Sequence, residues 1–329
     1  MNICVTGGTG TLGRVLIKTL LGQGHERVVS VSRDEVKAGD LRAFHADPRL
    51  NVFLGDVRDR ERLGLAFRGC DAVVHAAALK RVPVGEAYDS LEMIKTNISG
   101  TVNVVLAAMQ AGVKRVVVIS SDKAVHPENL YGATKLVAEK FAVQANEYTY
   151  PAGTRVSVVR YGNVWNSRGS VVEVWQRYLL NAGMGCTGDD GTNTYQVPLT
   201  DERMTRFVIT QAQAAALVCE ALEGMQGGEV FVPQLSAMRL PDLAEAMGVG
   251  YKVVGLRPGG EKLAERMISD EEEHRVLTLP SGTMIITPSH RSWSTEPYQG
   301  KRAWVPSPYQ SDNVDFLSVD HLRKLLEGV

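Results

Sequence analysis

Four residues in one short stretch of this 329-residue chain could move protons. Residues 120–135 read SSDKAVHPENLYGATK and follow VVVIS, an apolar run typical of a buried strand. Tyr131 and Lys135 are four residues apart at the start of a predicted helix, so both project from one face. A nearby ammonium lowers the pKa of a tyrosine and makes it a usable base. The pair is therefore predicted to take a proton from an alcohol or sugar hydroxyl, although a YxxxK match alone also arises by chance.

The elements around this stretch alternate. In the first half of the chain, short β-branched runs such as NICVTG, VVSVS and DAVVHAAA alternate with segments of helical periodicity. This alternation predicts an α/β fold with a Rossmann-type, doubly wound parallel sheet. After residue 163 the pattern loosens. We expect a Rossmann domain over 1–165, with a helix at 206–225 folding back onto it, and a smaller α/β substrate-binding lobe over 166–329.

A glycine-rich loop, TGGTGTLG, joins the first strand to the first helix. Glycines here allow a tight turn and let backbone amides at the helix N-terminus approach a pyrophosphate. An ordinary βα turn is the alternative interpretation, but the loop's place at the start of the chain favours a dinucleotide site. The predicted cofactor-binding residues of the loop are Thr6, Gly7, Thr9, Gly10, Thr11, Leu12 and Gly13.

The second strand ends in SRDE, which bears on the choice between NADP and NAD. Ser32 and Arg33 offer a hydroxyl and a guanidinium suited to a 2′-phosphate, so they favour NADP. Asp34 follows at once, and a shift of one residue would restore the acid that binds NAD. Further on, Asp56 and Val57 in GDVRD could reach an adenine edge, or could belong to a plain surface turn.

Composition excludes several classes of protein. The chain has 36 basic and 37 acidic residues without a block of like charge, which argues against a nucleic-acid or membrane footprint. Its four cysteines, Cys4, Cys70, Cys186 and Cys219, show no metal or CxxC spacing. We therefore expect reduced thiols, no metal site and a soluble cytoplasmic enzyme acting on a small molecule.

The ordered set TGGTGTLG, SRDE, GDVRD, HAAALK, IKTN, SSDKA, LYGATK and RYGN resembles the extended short-chain dehydrogenase/reductase superfamily. Within it, DKAVHPENLYGATK, SRGSV, TDERMTRF and GGEVFVP resemble the inverting UDP-N-acetylglucosamine 4,6-dehydratases that open routes to pseudaminic acid and capsular L-sugars. Simple epimerases usually carry a small residue where Asp122 and Lys123 stand, and retaining dehydratases more often carry Asp-Glu.

The resemblance implies a redox-neutral reaction in which Tyr131 and Lys135 serve oxidation at C4. Lys123 would then remove the C5 proton, Asp122 would protonate the leaving C6 hydroxyl, and hydride would return to C6 with inversion at C5. The product would be UDP-2-acetamido-2,6-dideoxy-β-L-arabino-hex-4-ulose. Burial beside Lys135 is expected to lower the pKa of Lys123 so that its amine is neutral part of the time.

The resemblance also implies further contacts, and an assembly. Ala76, Lys80 and Asn97 would contact the cofactor together with Tyr131 and Lys135, and the chain would form a homo-oligomer, with a hexamer as one expectation. The residues that resemble the family's nucleotide-sugar contacts are Lys80, Asn163, Val171, Thr200, Arg206, Arg257 and Glu261.

The chain departs from the family pattern mainly in the substrate lobe. Arg81 replaces a His, Trp165 and Asn166 occupy a variable and a Gly position, residues 183–196 form a longer segment, and RPGGEKLAE has an extra Gly. We expect the bulky Trp165 ring near the sugar to alter which substituents fit. The alternatives left open are a UDP-sugar 4-epimerase, a retaining dehydratase, and a non-catalytic NADP-binding scaffold.

Overall fold

Runs of Val and Ile form buried strands in the computed structural model, which describes residues 1–80, 88–149, 153–182, 195–256, 259–289 and 307–328. In chain order the strands are β1 Asn2–Thr6, β2 Arg27–Ser32, β3 Leu50–Leu54, β4 Ala72–His75, β5 Arg115–Ile119, β6 Arg155–Val159, β7 Asn163–Val164, β8 Gln196–Leu199, β9 Thr205–Ile209, β10 Val230–Val232, β11 Ala237–Arg239, β12 Gly250–Val253, β13 Val276–Thr278 and β14 Met284–Ile286.

The α-helices of the described residues connect these strands. They are α1 Thr11–Gly22, α2 Glu35–His45, α3 Arg60–Ala66, α4 Ser90–Ile94, α5 Gly100–Gln110, α6 Leu130–Gln144, α7 Val171–Ala182, α8 Gln211–Gly224, α9 Leu240–Ala246, α10 Asp270–Glu273 and α11 Val319–Glu327. A π-helical turn, Lys95–Ser99, joins α4 to α5, and a 3₁₀ turn, Asp122–Ala124, follows β5.

The main sheet confirms the predicted Rossmann-type fold. Its strand order is β13-β14-β10-β6-β5-β4-β1-β2-β3, and the neighbours from β3 through to β10 are parallel. The first six strands thus follow the order 3-2-1-4-5-6, which reverses direction between β1 and β4. Open α/β sheets bind ligands beyond the carboxyl ends of their strands at such a reversal.

Helices cover both faces of the sheet, as a doubly wound fold requires. On one face, α1 and α8 pack together through Leu16, Ile17 and Leu222. On the other, α3, α5 and α6 pack over β1, β4 and β5 through residues such as Phe67 and Val104. These two apolar layers hold the carboxyl ends of β1, β4 and β5 in fixed positions.

The predicted helix at 206–225 is wrong in its first part. Residues Thr205–Ile209 form β9, which pairs with β7 and antiparallel with β11. The run RFVI is β-branched and aromatic, and its partner strands supply the hydrogen bonds. The helix α8 begins only at Gln211, after Thr210 and Gln213 form a capping box.

The second half of the chain contributes to both layers. β10, β13 and β14 extend the main sheet, so that sheet does not end at residue 165, and the two-lobe division stays a prediction. A separate apolar cluster gathers α7, α9 and α11 around the smaller sheets β11-β9-β7 and β12-β8. The described cysteines, Cys4, Cys70 and Cys219, are buried free thiols, whereas Cys186 lies outside the described residues.

Within the described ranges, no helix is long and apolar enough to span a membrane.

Candidate active site

The glycine loop between β1 and α1 lies tightly against neighbouring backbone. Gly7 has a φ of +73°, and a Cβ there would lie 2.8 Å from the backbone nitrogen of Ala77. A Cβ on Gly13 would lie 2.3 Å from the carbonyl oxygen of Gly7. Side chains are therefore excluded, and the loop can bring backbone amides and the N-terminus of α1 close to an anion. This cradle fits the pyrophosphate of a dinucleotide.

A cleft of about 630 Å³ lies beside this loop at the strand-order reversal. Eight of the predicted cofactor residues line it: Gly7, Thr9, Gly10, Ser32, Arg33, Asp34, Val57 and Ala76. Its lining also includes Lys37, Thr96 and Arg168, which the sequence did not single out. The other predicted cofactor residues do not line this cleft, and several of them instead form hydrogen bonds that fix the segments around it.

Thr6 and Thr11 are two of these supporting residues. The hydroxyl of Thr6 is hydrogen-bonded to Nδ1 of His75 at 2.7 Å, which links the ends of β1 and β4. The hydroxyl of Thr11 accepts a hydrogen bond of 3.3 Å from the backbone nitrogen of Arg168. Leu12 and Gly13 are buried in the first turn of α1. These contacts fix the loop and bring the segment around residue 168 over the cleft.

At the end of β2 the side chain of Asp34 already has partners within the protein. Asp34 is the N-cap of α2, accepts a 3.0 Å hydrogen bond from the backbone nitrogen of Lys37, and forms an ion pair with the Lys37 ammonium. Arg33 is half-exposed, with its guanidinium 3.7 Å from Asp56. The buried hydroxyl of Ser32 has no hydrogen-bond partner among the described residues. A hydroxyl and a guanidinium therefore lie at the end of β2, where the carboxylate of Asp34 is already paired with Lys37.

Asn97 lies in the π-helical turn, a type of local structure that is frequent at functional sites. Its amide exchanges hydrogen bonds of 2.8 and 2.9 Å with the backbone of Leu79 and donates to the hydroxyl of Thr134 at 3.0 Å. It therefore ties the segment after β4 to α6. Nearby, the ammonium of Lys80 reaches Ser167 at 3.3 Å, so the segments after β4 and after β7 meet there.

Tyr131 and Lys135 project from the first turns of α6, whose N-cap is Asn129. The Lys135 ammonium donates a 2.8 Å hydrogen bond to the carbonyl of Ile119, and burial lowers the pKa of Lys135 to about 8. Burial raises the pKa of Tyr131 to about 12. The expectation of a lowered tyrosine pKa is thus wrong for this structure, because desolvation of the phenolate outweighs the field of Lys123.

Asp122 begins the 3₁₀ turn after β5 and is fully buried. One carboxylate oxygen accepts hydrogen bonds from Ser121, at 2.8 Å, and from Lys123, at 3.0 Å. The other has no hydrogen-bond partner in the described part of the chain. Burial raises the pKa of Asp122 in spite of the Lys123 charge. A carboxyl group in this environment can carry and donate a proton.

Lys123 lies among three oxygen atoms. Its ammonium is 3.0 Å from Asp122, 3.2 Å from the amide oxygen of Asn163 and 3.2 Å from Glu265. Burial disfavours the charge on Lys123, but the two carboxylates outweigh it and raise the pKa well above its ordinary value. The expected lowering of the Lys123 pKa is therefore wrong.

Two residues of this cluster were missed by sequence reasoning. Ser121 shares hydrogen bonds with Tyr131 and Asp122 and so connects the two predicted pairs. Its position directly before Asp122 could have indicated it. Glu265 comes from a distant segment, and no spacing in the sequence relates it to Lys123.

The predicted substrate residues other than Lys80 lie in different parts of the structure. Asn163 contacts Lys123, as described above. Arg206 is buried and donates to the carbonyls of Thr205, at 2.8 Å, and Leu263, at 3.1 Å, while its guanidinium lies 3.5 Å from Glu261. The fold thus brings Arg206 and Glu261 together. Val171 and Thr200 are half-buried at the start of α7 and just after β8, and Arg257 lies outside the described residues.

Two departures from the family pattern have structural explanations. Trp165 is buried, and its indole nitrogen donates to the carbonyl of Leu325 in α11 at 3.1 Å. The ring therefore packs in the apolar cluster of α7, α9 and α11. It also lines a small pocket together with Asn163 and Val171, and its effect on the sugar site stays a prediction. Asn166 has a φ of +48°, a left-handed conformation that Gly adopts easily and Asn tolerates.

The extra glycine in RPGGEKLAE lies against Glu128 and Asn129, just before α6. Gly260 has a φ of +87°, and a Cβ there would lie 2.6 Å from the carbonyl oxygen of Glu128. Its own carbonyl accepts a 3.2 Å hydrogen bond from Asn129. The altered positions Arg81 and 183–194 lie outside the described residues.

This chain is similar to several known proteins. Residues 3–287 match the family described as polysaccharide biosynthesis protein. Two proteins of Campylobacter jejuni, from serotypes O:2 and O:23/36, are 43% and 39% identical and are both named UDP-N-acetylglucosamine 4,6-dehydratase (inverting). The alignments cover 83% and 95% of this chain, and 79% and 92% of those proteins.

A solved structure is similar over nearly the whole chain. The X-ray structure of Pen from Bacillus thuringiensis superposes with a TM-score of 0.87 and 32% identity, covering 99% of this chain and 97% of that one. Proteins named UDP-glucose 4-epimerase from several Rickettsia species are also similar, at 32–35% identity.

Proposed function

This chain belongs to the polysaccharide biosynthesis protein family, and we propose that within it the chain is a UDP-N-acetylglucosamine 4,6-dehydratase that inverts C5. The observation that carries the proposal is the buried cluster of Asp122 and Lys123 joined through Ser121 to Tyr131. An epimerase needs a Tyr-Lys pair alone, whereas elimination of water needs an acid and a base beside it.

The proposed reaction uses the two pairs in turn. NADP, when bound in the cleft, supplies the hydride acceptor for C4 oxidation and the hydride that later reduces C6. Tyr131 takes the proton of the C4 hydroxyl when it is a phenolate, a form that its raised pKa of about 12 makes a strong base. The resulting ketone makes the C5 proton acidic, and Lys123 accepts that proton.

At the elimination step, Asp122 donates one proton and Lys123 accepts another. Asp122 in its acid form protonates the C6 hydroxyl as it leaves as water. Starting as a neutral acid and a neutral amine, the pair ends as carboxylate and ammonium, so no outside proton source is required. The raised pKa of Asp122 supports its acid role, and the charge of Glu265 beside the amine of Lys123 keeps that amine a strong base when Asp122 is protonated.

Product analysis tests the function. Incubation with UDP-N-acetylglucosamine in deuterated water should give a 4-keto-6-deoxy sugar with deuterium at C5, the L-arabino configuration and no net NADPH. NMR of the product reads all three features. A D-configured C5 would identify a retaining dehydratase, a 4-epimer without deuterium an epimerase, and cofactor binding without turnover a scaffold.

The preference for NADP over NAD is a second prediction. Because Asp34 caps α2, we propose that Arg33 binds the 2′-phosphate. The Arg33→Ala variant should bind NADP at least about tenfold more weakly, the loss expected for a charge-assisted hydrogen bond, and bind NAD as before. Isothermal titration calorimetry measures both affinities, with Arg49→Ala, a surface arginine paired with Asp47, as the control. An equal loss for both cofactors would contradict this role.

A further inference from the structure

Glu265 places a second carboxylate at Lys123. Its side chain is buried, and one oxygen lies 3.2 Å from the Lys123 ammonium. The other oxygen lies 3.5 Å from the ammonium of Lys262, which itself donates to the carbonyl of Val125 at 2.6 Å. A line of alternating charges thus runs from Asp122 through Lys123 and Glu265 to Lys262, with both carboxylates buried and both lysines partly exposed.

The fold does not need this carboxylate to anchor the segment. The backbone nitrogen of Glu265 donates to the hydroxyl of Ser311 at 2.9 Å, and its carbonyl accepts from the backbone nitrogen of Ser311 at 2.8 Å. These bonds hold the main chain whatever the side chain is. Burying an ion pair generally brings little net stability, so the charge at this position calls for another role.

We propose that Glu265 is a positioning residue for proton transfer at C5, holding the amine of Lys123 in place and stabilising the ammonium formed there. This inference rests on the proposed function. The C5–H bond breaks and its proton passes to the nitrogen of Lys123. The electron pair left on C5 forms the C5–C6 double bond as the C6 hydroxyl leaves with the proton of Asp122. Glu265 keeps its charge throughout.

The charged and titratable groups facing this pair determine the sign of the effect. Asp122, Tyr131, Arg206 and Glu265 act on Lys123. Arg206 and Lys262 also act on Glu265, whose pKa they and Lys123 lower against the effect of burial. Removing the Glu265 charge therefore leaves Arg206 opposing the ammonium with only Asp122 favouring it. The pKa of Lys123 should fall, which makes its amine a weaker base.

The Glu265→Gln variant tests this role, because it keeps the shape and removes the charge. We expect the pH-independent plateau of kcat to fall at least about tenfold, as when one preorganised electrostatic contact is lost. KM should stay unchanged, and the acidic limb of the kcat–pH profile should move to lower pH. Glu265→Asp, which keeps the charge, should recover part of kcat. Glu229→Gln, another buried carboxylate, which is bonded to Ser157 instead, is the matched control and should leave all three readouts unchanged.

A second measurement follows the titration of Lys123 directly and does not depend on catalysis. In protein labelled with ¹³C at the lysine ε-carbons, the Lys123 signal, assigned by its loss in Lys123→Arg, should titrate at lower pH in Glu265→Gln than in the wild type. An unchanged titration, or a wild-type kcat in Glu265→Gln, would overturn the inference. A wild type that does not convert UDP-N-acetylglucosamine would instead refute the proposed function, and the titration would still decide whether Glu265 sets the protonation of Lys123.

Discussion

The Lys123→Met variant is expected to lose dehydration but to keep the first oxidation. Removing a general base costs about 10²–10⁴-fold in rate. Tyr131 and Lys135 remain in place, so the C4 hydroxyl can still lose its proton, more slowly because the Lys123 charge that lowers the pKa of Tyr131 is gone. We expect reduced nicotinamide to appear as an absorbance burst in a single turnover, while water loss and deuterium entry at C5 fall to the limit of detection.

Two further variants serve as controls for this experiment. Tyr131→Phe should abolish the burst as well as dehydration, because the hydroxyl that receives the C4 proton is gone. Lys140→Met, an exposed lysine on the same helix as Tyr131, should behave as the wild type. If Lys123→Met kept most of its turnover of a UDP-sugar, the chain would be an epimerase and the assignment of Lys123 as base would be wrong.

Much of the fold was predictable because the information is local. Parallel strands buried on both faces read as near-continuous Val and Ile runs, and the TGGTGTLG loop marks the first crossover. The helix at 206–225 failed because its first residues, RFVI, become a strand only through pairing with β7 and β11, whose positions in space the sequence does not show. The sequence also did not predict that strands beyond residue 165 extend the main sheet, because this too depends on pairing between distant segments.

The site was predictable in its residue types but not in its charge states. Tyr131 and Lys135 share a helix face by spacing alone, and Asp122 and Lys123 are adjacent in the chain. The pKa of Lys123 is raised by Asp122 and by Glu265, and Glu265 comes from a distant segment whose position no spacing in the chain indicates. Burial of Tyr131 likewise acts through packing, and packing raised a pKa that helix spacing alone predicted to fall.

The Arg160→Met variant should lose about 3–5 kcal/mol of stability, because it leaves buried carboxylates without their partner. Arg160 is fully buried directly after β6 and bonds both Glu139 of α6 and Glu272 of α10, the latter at 2.8 and 2.9 Å, as well as the carbonyl of Met267 at 2.7 Å. It therefore joins the helix that carries Tyr131 to the segment that follows Glu265. Urea unfolding at pH 7 measures the loss, with Arg155→Met, an exposed arginine at the start of β6, as the control.

The dependence of this loss on pH follows from the pKa values. Burial opposes the charge on Glu272, but Arg160 lowers its pKa to about 2. In the wild type the stabilisation is therefore present above the unfolded pKa of about 4.3 and is lost as pH falls from there towards 2. In Arg160→Met the pKa of Glu272 should be raised instead, because burial is no longer outweighed by the guanidinium, so that variant should gain stability as Glu272 protonates on acidification.

The difference in stability between wild type and Arg160→Met should therefore be largest at neutral pH and smaller at pH 5. The triple variant Arg160→Met, Glu139→Gln, Glu272→Gln should regain much of the loss, because no buried charge remains unpaired. A difference that is equal at both pH values, or a triple variant no more stable than the single one, would mean that Arg160 stabilises the fold by packing and not by neutralising two buried carboxylates.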